Sequence, residues 1–486
     1  MPLRPPRFAT SAALAAALVA CAGCTTAPPR VPAPTLVPTA RPVSPAASAP
    51  VWQECPLGEC AELAVPLDHD APTGPTITLA LTRVPASALP VQGTLFVNPG
   101  GPGGSGRTFA AAFDRDSLEH YDIVGWDPRG IGASTPVACP QGAQADAYLA
   151  LDGSPDDDAE LDALVAGSTA FAQGCRELSG DLLDHLSVRD TACDLDALRA
   201  AVGDDKLTYY GASYGTAIGA AYAAEFPDRV GRLVLDAGVE PRRPPTVPQA
   251  VGFDDGLAAL ARWCARTDCP LGADATARVV ALLADLDAAP LPVGARELTQ
   301  SLATSGLVTL LGSGEGGWSP LADAVAAAEA GDGSALLQAA DAQTGRRPDG
   351  SRSGLLAGFT ATYCADDDVR SADVAEQRWA AERRAAPIFG AVMGAPFLCV
   401  GWTAAPAEPL ALPADPDGDI VVIGSVGDPV TPYAWSQELA AALTGSVLVT
   451  APGHGHVAFR RGSTCTDAAV TGLLASGVRP TTTDCT

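Results

Sequence analysis

The stretch Lys206-Leu207-Thr208-Tyr209-Tyr210-Gly211-Ala212-Ser213-Tyr214-Gly215-Thr216 decides the fold class. Residues 206–210 are β-branched, aromatic and aliphatic and read as a strand running into Gly211. Residues 214–225 read as a small-residue helix stopped by Pro227. Between them Gly211-Ala212-Ser213-Tyr214-Gly215 matches G-x-S-x-G. In a chain with 50 Gly that pattern alone is weak; between a strand and a helix it is not. The turn is sharp, so side chains larger than hydrogen clash at its glycine positions. Ser213 Oγ would stand exposed above the sheet as a nucleophile. The Tyr214 amide, at the helix N-terminus, would face a developing oxyanion.

Working outward, the chain repeats the pattern. Strands are expected at 93–97, 121–126 and 231–236, and a helix at 190–202. Residues 76–84 alternate and then meet Pro85, which reads as an exposed or edge strand. From about 241 to 402 the sequence turns Ala- and Leu-rich with helical periodicity, and strands return at 419–424 (DIVVIG) and 446–450 (SVLVT). Strands alternating with helices predict an α/β fold: a mostly parallel sheet with helices on both faces. The helical stretch is best placed as a lid inserted over the strand ends. The expected organisation is a signal peptide at 1–20, a tether at 21–50, the first part of the core at 51–240, the lid at 241–402 and the rest of the core at 403–486.

A serine hydroxyl needs a base. In this strand–turn–helix context the order is Ser, acid, His, and downstream of Ser213 stand only His454 and His456. Both lie in a loop after a strand, so one would be the base and the other an exposed loop histidine. Asp428 opens Asp428-Pro429-Val430-Thr431-Pro432 after the DIVVIG strand and is the candidate acid. Thr431 is placed to fix its carboxylate. A second oxyanion donor is expected from NPGGPGGSG (98–106), with Gly101 as the candidate because Pro102 has no N–H. A phosphate loop is the competing reading, but no Lys follows the glycines.

Composition excludes other classes. A chain with 47% hydrophobic and 18% charged residues is not disordered, and its 50 Gly and 43 Pro show no collagen period. A net charge of −26 makes nucleic acid and acidic membrane surfaces poor partners. Arg4 and Arg7 precede an apolar run at 8–20, which at about 20 Å is too short to span a bilayer. The run ends Leu18-Val19-Ala20-Cys21, like a bacterial lipobox, so Cys21 is the expected lipidation site, with Cys24 as the alternative. Residues 25–50 are a Pro- and Ala-rich tether. The expectation is an exported protein, held on the outer face of the cell membrane by its lipid alone, or secreted if the segment is a plain secretory signal.

Thirteen Cys in an exported chain point to disulfides. Connectivity does not follow from sequence. Short loops suggest Cys55–Cys60 and Cys264–Cys269, and the pairing taken for the rest is Cys139–Cys175, Cys364–Cys399 and Cys465–Cys485. Cys193 then remains as a small buried residue on a helix. The closest spacings are C-x4-C with no His nearby, which disfavours a metal site, and the chemistry read here needs no cofactor.

With NPGGPGGSG (98–106), WDPRGIGAS (126–134), DLDALRAAVG (194–203), YYGASYGT (209–216), GDPVTP (427–432) and the C-terminal GH…C…C region in order, the sequence resembles the exported tripeptidyl-aminopeptidase and proline-iminopeptidase-like α/β-hydrolases of actinobacteria. The likeness runs from residue 65 to Cys485. It implies the α/β-hydrolase fold and a Gly-X-Gly-His segment shortly before a Cys, which favours His456 over His454. Cys193 stands where that family often has Arg. The resemblance further implies an exopeptidase that releases short peptides or single residues from free N-termini. Such specificity needs an anion for the substrate ammonium. The family has a Cys-X-Asp near Cys364-Ala365-Asp366, so Asp366 is the candidate, against a solvated acidic turn. The competing activities are a carboxylesterase or lipase of the same fold and a non-catalytic binding lipoprotein.

Overall fold

The computed structural model describes residues 49–239 and 245–486. Cys21, the signal peptide and nearly all of the tether lie outside the described residues, as does the boundary set at 240/241. In chain order the strands are β1 (Gln53–Cys55), β2 (Gly58–Pro66), β3 (Thr76–Val84), β4 (Gly93–Asn98), β5 (Tyr121–Trp126), β6 (Leu207–Ala212), β7 (Val230–Asp236), β8 (Leu291–Val293), β9 (Arg296–Leu298), β10 (Asp419–Ser425) and β11 (Val447–Ala451). Nine form one sheet in the order β1-β2-β3-β5-β4-β6-β7-β10-β11, and β8 pairs with β9 in a separate hairpin.

From β5 to β11 all neighbours are parallel, while β1, β2, β3 and β5 pair antiparallel. The parallel strands read as near-continuous apolar runs because helices cover both faces. Side chains still alternate: Phe96 and Tyr209 join one core with Leu233 and Leu235, whereas Leu95, Val97, Tyr210 and Val234 join the core on the other face. Helix Tyr214–Glu225 is buried from Tyr214 to Ala223, so it needs no polar face. It packs between the sheet and helix Val188–Val202, which starts with a Ser187–Asp190 capping box.

The reading of 76–84 as an edge strand is corrected. β3 is hydrogen-bonded to β2 on one side and β5 on the other. The signal for β2 was the alternation at 62–65, where Leu63 and Val65 are buried and Glu62 and Ala64 exposed. Pro85 lies just past the end of β3, so it costs the ladder nothing.

Between β7 and β10 the regular elements among the described residues are helical apart from the β8–β9 hairpin, but they are not one layer. Residues from Ala250 to Ala340, with Ala386 and Phe389, form a core of their own. Helices Leu355–Asp366 and Ala372–Ala385 instead pack into the main core beside the sheet. Among the described residues the disulfides are Cys55–Cys60, Cys139–Cys175, Cys264–Cys269, Cys364–Cys399 and Cys465–Cys485, the pairing expected from sequence. Cys193 is buried on helix Val188–Val202, outside these five pairs. Among the described residues no helix is long and apolar enough to cross a membrane.

One buried ion pair ties the antiparallel half to the helices. Arg129 of the 126–134 motif donates from Nε to Asp194 Oδ2 at 2.8 Å and from Nη2 to Oδ1 at 2.7 Å, with both side chains fully buried. Its remaining donors meet the carbonyls of Pro66, Leu67 and His185. His69 Nε2 lies 2.8 Å from Asp194 Oδ1. Removing one partner strands a buried charge, which costs about 3–5 kcal/mol. Asp194→Ala should therefore lose stability of that order in denaturant unfolding. A loss under about 1 kcal/mol would show that the pair carries no such weight.

Candidate active site

The site starts at the turn between β6 and helix Tyr214–Glu225. Ser213 holds φ 55° and ψ −127°, a conformation that non-glycine residues avoid. Such strain costs on the order of 1–3 kcal/mol and persists only where the surroundings over-determine it. Here they do. Ser213 N donates to Asp236 O at 2.8 Å, and Thr216 N and Oγ1 donate to Ser213 O at 2.8 and 2.6 Å. A Cβ on Gly211 would lie 2.5 Å from Gly215 O, and one on Gly215 would lie 2.8 Å from Asn98 O. The two glycines of G-x-S-x-G are thus required by close approach.

The glycine loop after β4 lies directly against this turn. A Cβ on Gly100 would come within 2.5 Å of Ala212 O and 2.6 Å of Tyr214 N. That contact brings the Gly100–Gly101 backbone to the N-terminus of helix Tyr214–Glu225, where the dipole is positive. Gly101 has φ 115°, and among the described residues its N–H has no hydrogen-bond acceptor. Two side chains with no role in the sequence reading fix the loop. Asn98 Oδ1 accepts from Gly100 N at 2.8 Å. Asp127, 2% exposed, accepts from Ser105 Oγ at 2.6 Å and Arg107 N at 3.3 Å on Oδ1, and from Ala133 N at 2.8 Å on Oδ2. The available signal for Asp127 was its place in WDPRG, an acid closing an apolar strand.

Asp428 and His456 come together from loops after β10 and β11. His456 Nδ1 lies 3.0 Å from Asp428 Oδ2 and 3.2 Å from Oδ1. Asp428 is 4% exposed, and its carboxylate also accepts Val430 N at 2.8 Å, Thr431 N at 3.0 Å and Thr431 Oγ1 at 3.0 Å. These donors hold its rotamer. With Nδ1 facing Asp428, the neutral ring keeps its proton there and leaves Nε2 as the basic nitrogen. Burial disfavours the charged ring, but the charge and hydrogen bond of Asp428, with the charge of Asp236, outweigh it, so the His456 pKa is raised. Among the described residues no hydrogen bond joins Ser213 Oγ to His456. Catalytic hydrogen bonds are often long before substrate binds.

His454 is elsewhere, and it is not an exposed loop residue. Its half-buried ring packs on Trp318, with centroids 5.5 Å apart, and lies against Gly427. Glu315 N donates to His454 O at 3.1 Å, and His456 N donates to Gly312 O at 3.3 Å. The turn between helices Gln300–Gly312 and Glu315–Glu329 therefore holds the histidine loop. Nothing in the local sequence announces a contact between segments so far apart.

Asp366 is not in a solvated turn. Its half-buried carboxylate accepts Val188 N at 3.1 and 3.2 Å, at the start of helix Val188–Val202, and Tyr214 OH at 3.1 Å. The Tyr214 ring thus spans from the residue after Ser213 to Asp366.

Residues 93–277 match the family model described as alpha/beta hydrolase fold, and residues 386–485 match the one described as TAP-like protein. Serine protease Hip1 of Mycobacterium tuberculosis is 36% identical over 449 residues, covering 87% of this chain and 86% of that protein. Tripeptidyl aminopeptidase of Streptomyces lividans is 31% identical over 427 residues, covering 82% and 79%. Carboxylesterase B of M. tuberculosis is 34% identical over 462 residues, covering 88% and 86%. With that much of the chain shared, and with this sheet and these surrounding helices, the protein belongs to the α/β-hydrolase family and its TAP-like branch, among serine hydrolases and peptidases.

Proposed function

We propose that this protein is a serine exopeptidase that releases tripeptides or other short N-terminal units through an acyl-enzyme on Ser213. The observation that carries the reading is the hydrogen-bonded Asp428–His456 pair, in the same molecule as a serine on a strained strand–helix turn. His456 Nε2 takes the Ser213 proton as Oγ attacks the scissile carbonyl carbon. The carbonyl electron pair moves onto oxygen, where the amides of Tyr214 and Gly101 stabilise it. As the intermediate collapses, the C–N bond breaks and His456 protonates the leaving amine. Water, deprotonated by His456, then hydrolyses the ester. Asp428 keeps the ring oriented and stabilises its charged form without taking the proton.

In this reading Asp366 supplies the charge that meets the substrate ammonium, and part of the helical segment forms the lid. Its place beside Tyr214 OH supports the role. Export and a lipid anchor at Cys21 belong to the same proposal, and the five disulfides support an oxidising compartment. A carboxylesterase is the second reading, favoured by the likeness to carboxylesterase B, since esters and amides pass through the same acyl-enzyme.

A matched panel separates the two: free tripeptidyl and aminoacyl amides, their N-acetylated forms and short-chain esters, with Ser213→Ala as control. Free tripeptidyl amides should turn over fastest, and Asp366→Asn should raise their KM while leaving the blocked amides unaffected. Preference for acetylated amides would sink the exopeptidase reading, and ester-only turnover would establish the second.

The raised His456 pKa sets a pH dependence. The base works as the neutral ring, so kcat/KM should fall as pH drops through a value above the ordinary ~6.5 for histidine. Asp428→Asn should move that limb to lower pH and cut kcat by roughly 10⁴. A limb unmoved by the substitution would remove Asp428 from the pair.

Thr431 holds the carboxylate that holds the ring. Thr431→Val should lower kcat several-fold to about tenfold, the net worth of a typical hydrogen bond, with KM little changed. Unchanged turnover would leave Thr431 without this role.

A further inference from the structure

We propose that Asp236 is a positioning residue that keeps the His456 loop in register with Ser213. The inference rests on the reading of Ser213 and His456 as nucleophile and base, and concerns what aligns them. Asp236 ends β7 in the middle of the sheet, level with Ala212 of β6 on one side and Ile423 of β10 on the other. It is fully buried. Its main chain and side chain point to different halves of the site. The carbonyl accepts Ser213 N at 2.8 Å. The carboxylate accepts Ala458 N at 3.0 Å on Oδ1, and Phe459 N and Tyr210 OH, both at 2.8 Å, on Oδ2.

Ala458 and Phe459 follow His456 by two and three residues. The segment between is strained: Val457 has φ 71°, rare for a β-branched residue. Such a conformation needs outside partners to hold it. The partners here are the two amides on the buried carboxylate. One residue therefore fixes the backbone of the nucleophile and the backbone just past the base, while Asp428 fixes only the ring. The charged groups acting on His456 are Asp428 and Asp236, which stabilise its protonated form, and Arg461, which opposes it.

The experiment compares wild type with Asp236→Asn, which keeps the shape but puts an amide NH₂ where one acceptor stood. Four readouts are taken: kcat, KM, the acid limb of kcat/KM, and the rate at which a fluorophosphonate labels Ser213. The expected result is a kcat lower by about tenfold to a hundredfold, KM within about twofold, labelling slowed in parallel, and the acid limb moved to lower pH. A folded Asp236→Asn protein with unchanged kcat, labelling and acid limb overturns the proposal. Should that variant not fold, Tyr210→Phe serves, since it removes one donor to the carboxylate and keeps the ring. The expectation for it is a kcat several-fold lower at unchanged KM, and wild-type kcat overturns the proposal. Wild-type protein that the probe does not label at Ser213 fails the nucleophile reading itself and this inference with it.

Discussion

The site hangs on one strained residue. Ser213 adopts a backbone conformation that an isolated chain would leave, at a cost of order 1–3 kcal/mol. It stays because every neighbour forbids relaxation. β6 is locked between β4 and β7, and the glycines on either side of the serine approach other backbone too closely for a Cβ. The Gly100 loop presses on the same turn from the other side. Moving Ser213 would mean moving the centre of the sheet. The energy that holds it comes from the burial of Phe96, Tyr209, Leu233 and their neighbours, spread over the whole core.

Around this fixed point the chain places charge with care. It is acidic overall, yet the carboxylates nearest the site are each saturated with donors. Asp127 holds the glycine loop, Asp428 holds the ring of His456, and Asp236 meets two amides beyond it. A buried carboxylate with several N–H and O–H partners is a rigid fixture. The helical segment joins in through backbone: Gly312 O and Glu315 N bond the histidine loop, and Trp318 packs on His454. The position of His456 is thus linked to the packing of residues 300–329.

The features legible in the sequence are those whose physics is local. Parallel strands buried on both faces show as apolar runs, and β4, β5, β6, β7, β10 and β11 were all legible to within two residues. Asp428 and Thr431 were legible as a pair because three residues of turn bring them together. β3 resembles an edge strand in sequence because its partner β2 carries only a short alternation. The carboxylate of Asp236 and the Trp318–His454 contact were invisible for a different reason. Each depends on register between segments well over a hundred residues apart, which no local pattern encodes. The choice between His454 and His456 needed the family likeness, since both are histidines in one loop; in the structure it is His456 that meets Asp428.

The central claim is acyl transfer to Ser213, and the most direct measurement is the mass of the intermediate. A free-amine tripeptide p-nitrophenyl ester is mixed with enzyme and quenched in acid within the first turnovers, and the protein is digested and mapped. The expected result is a tripeptidyl mass increment on the peptide that contains Ser213, absent from Ser213→Ala. An increment on another residue, or release of p-nitrophenol with no covalent adduct under conditions that trap acyl-enzymes, would contradict it.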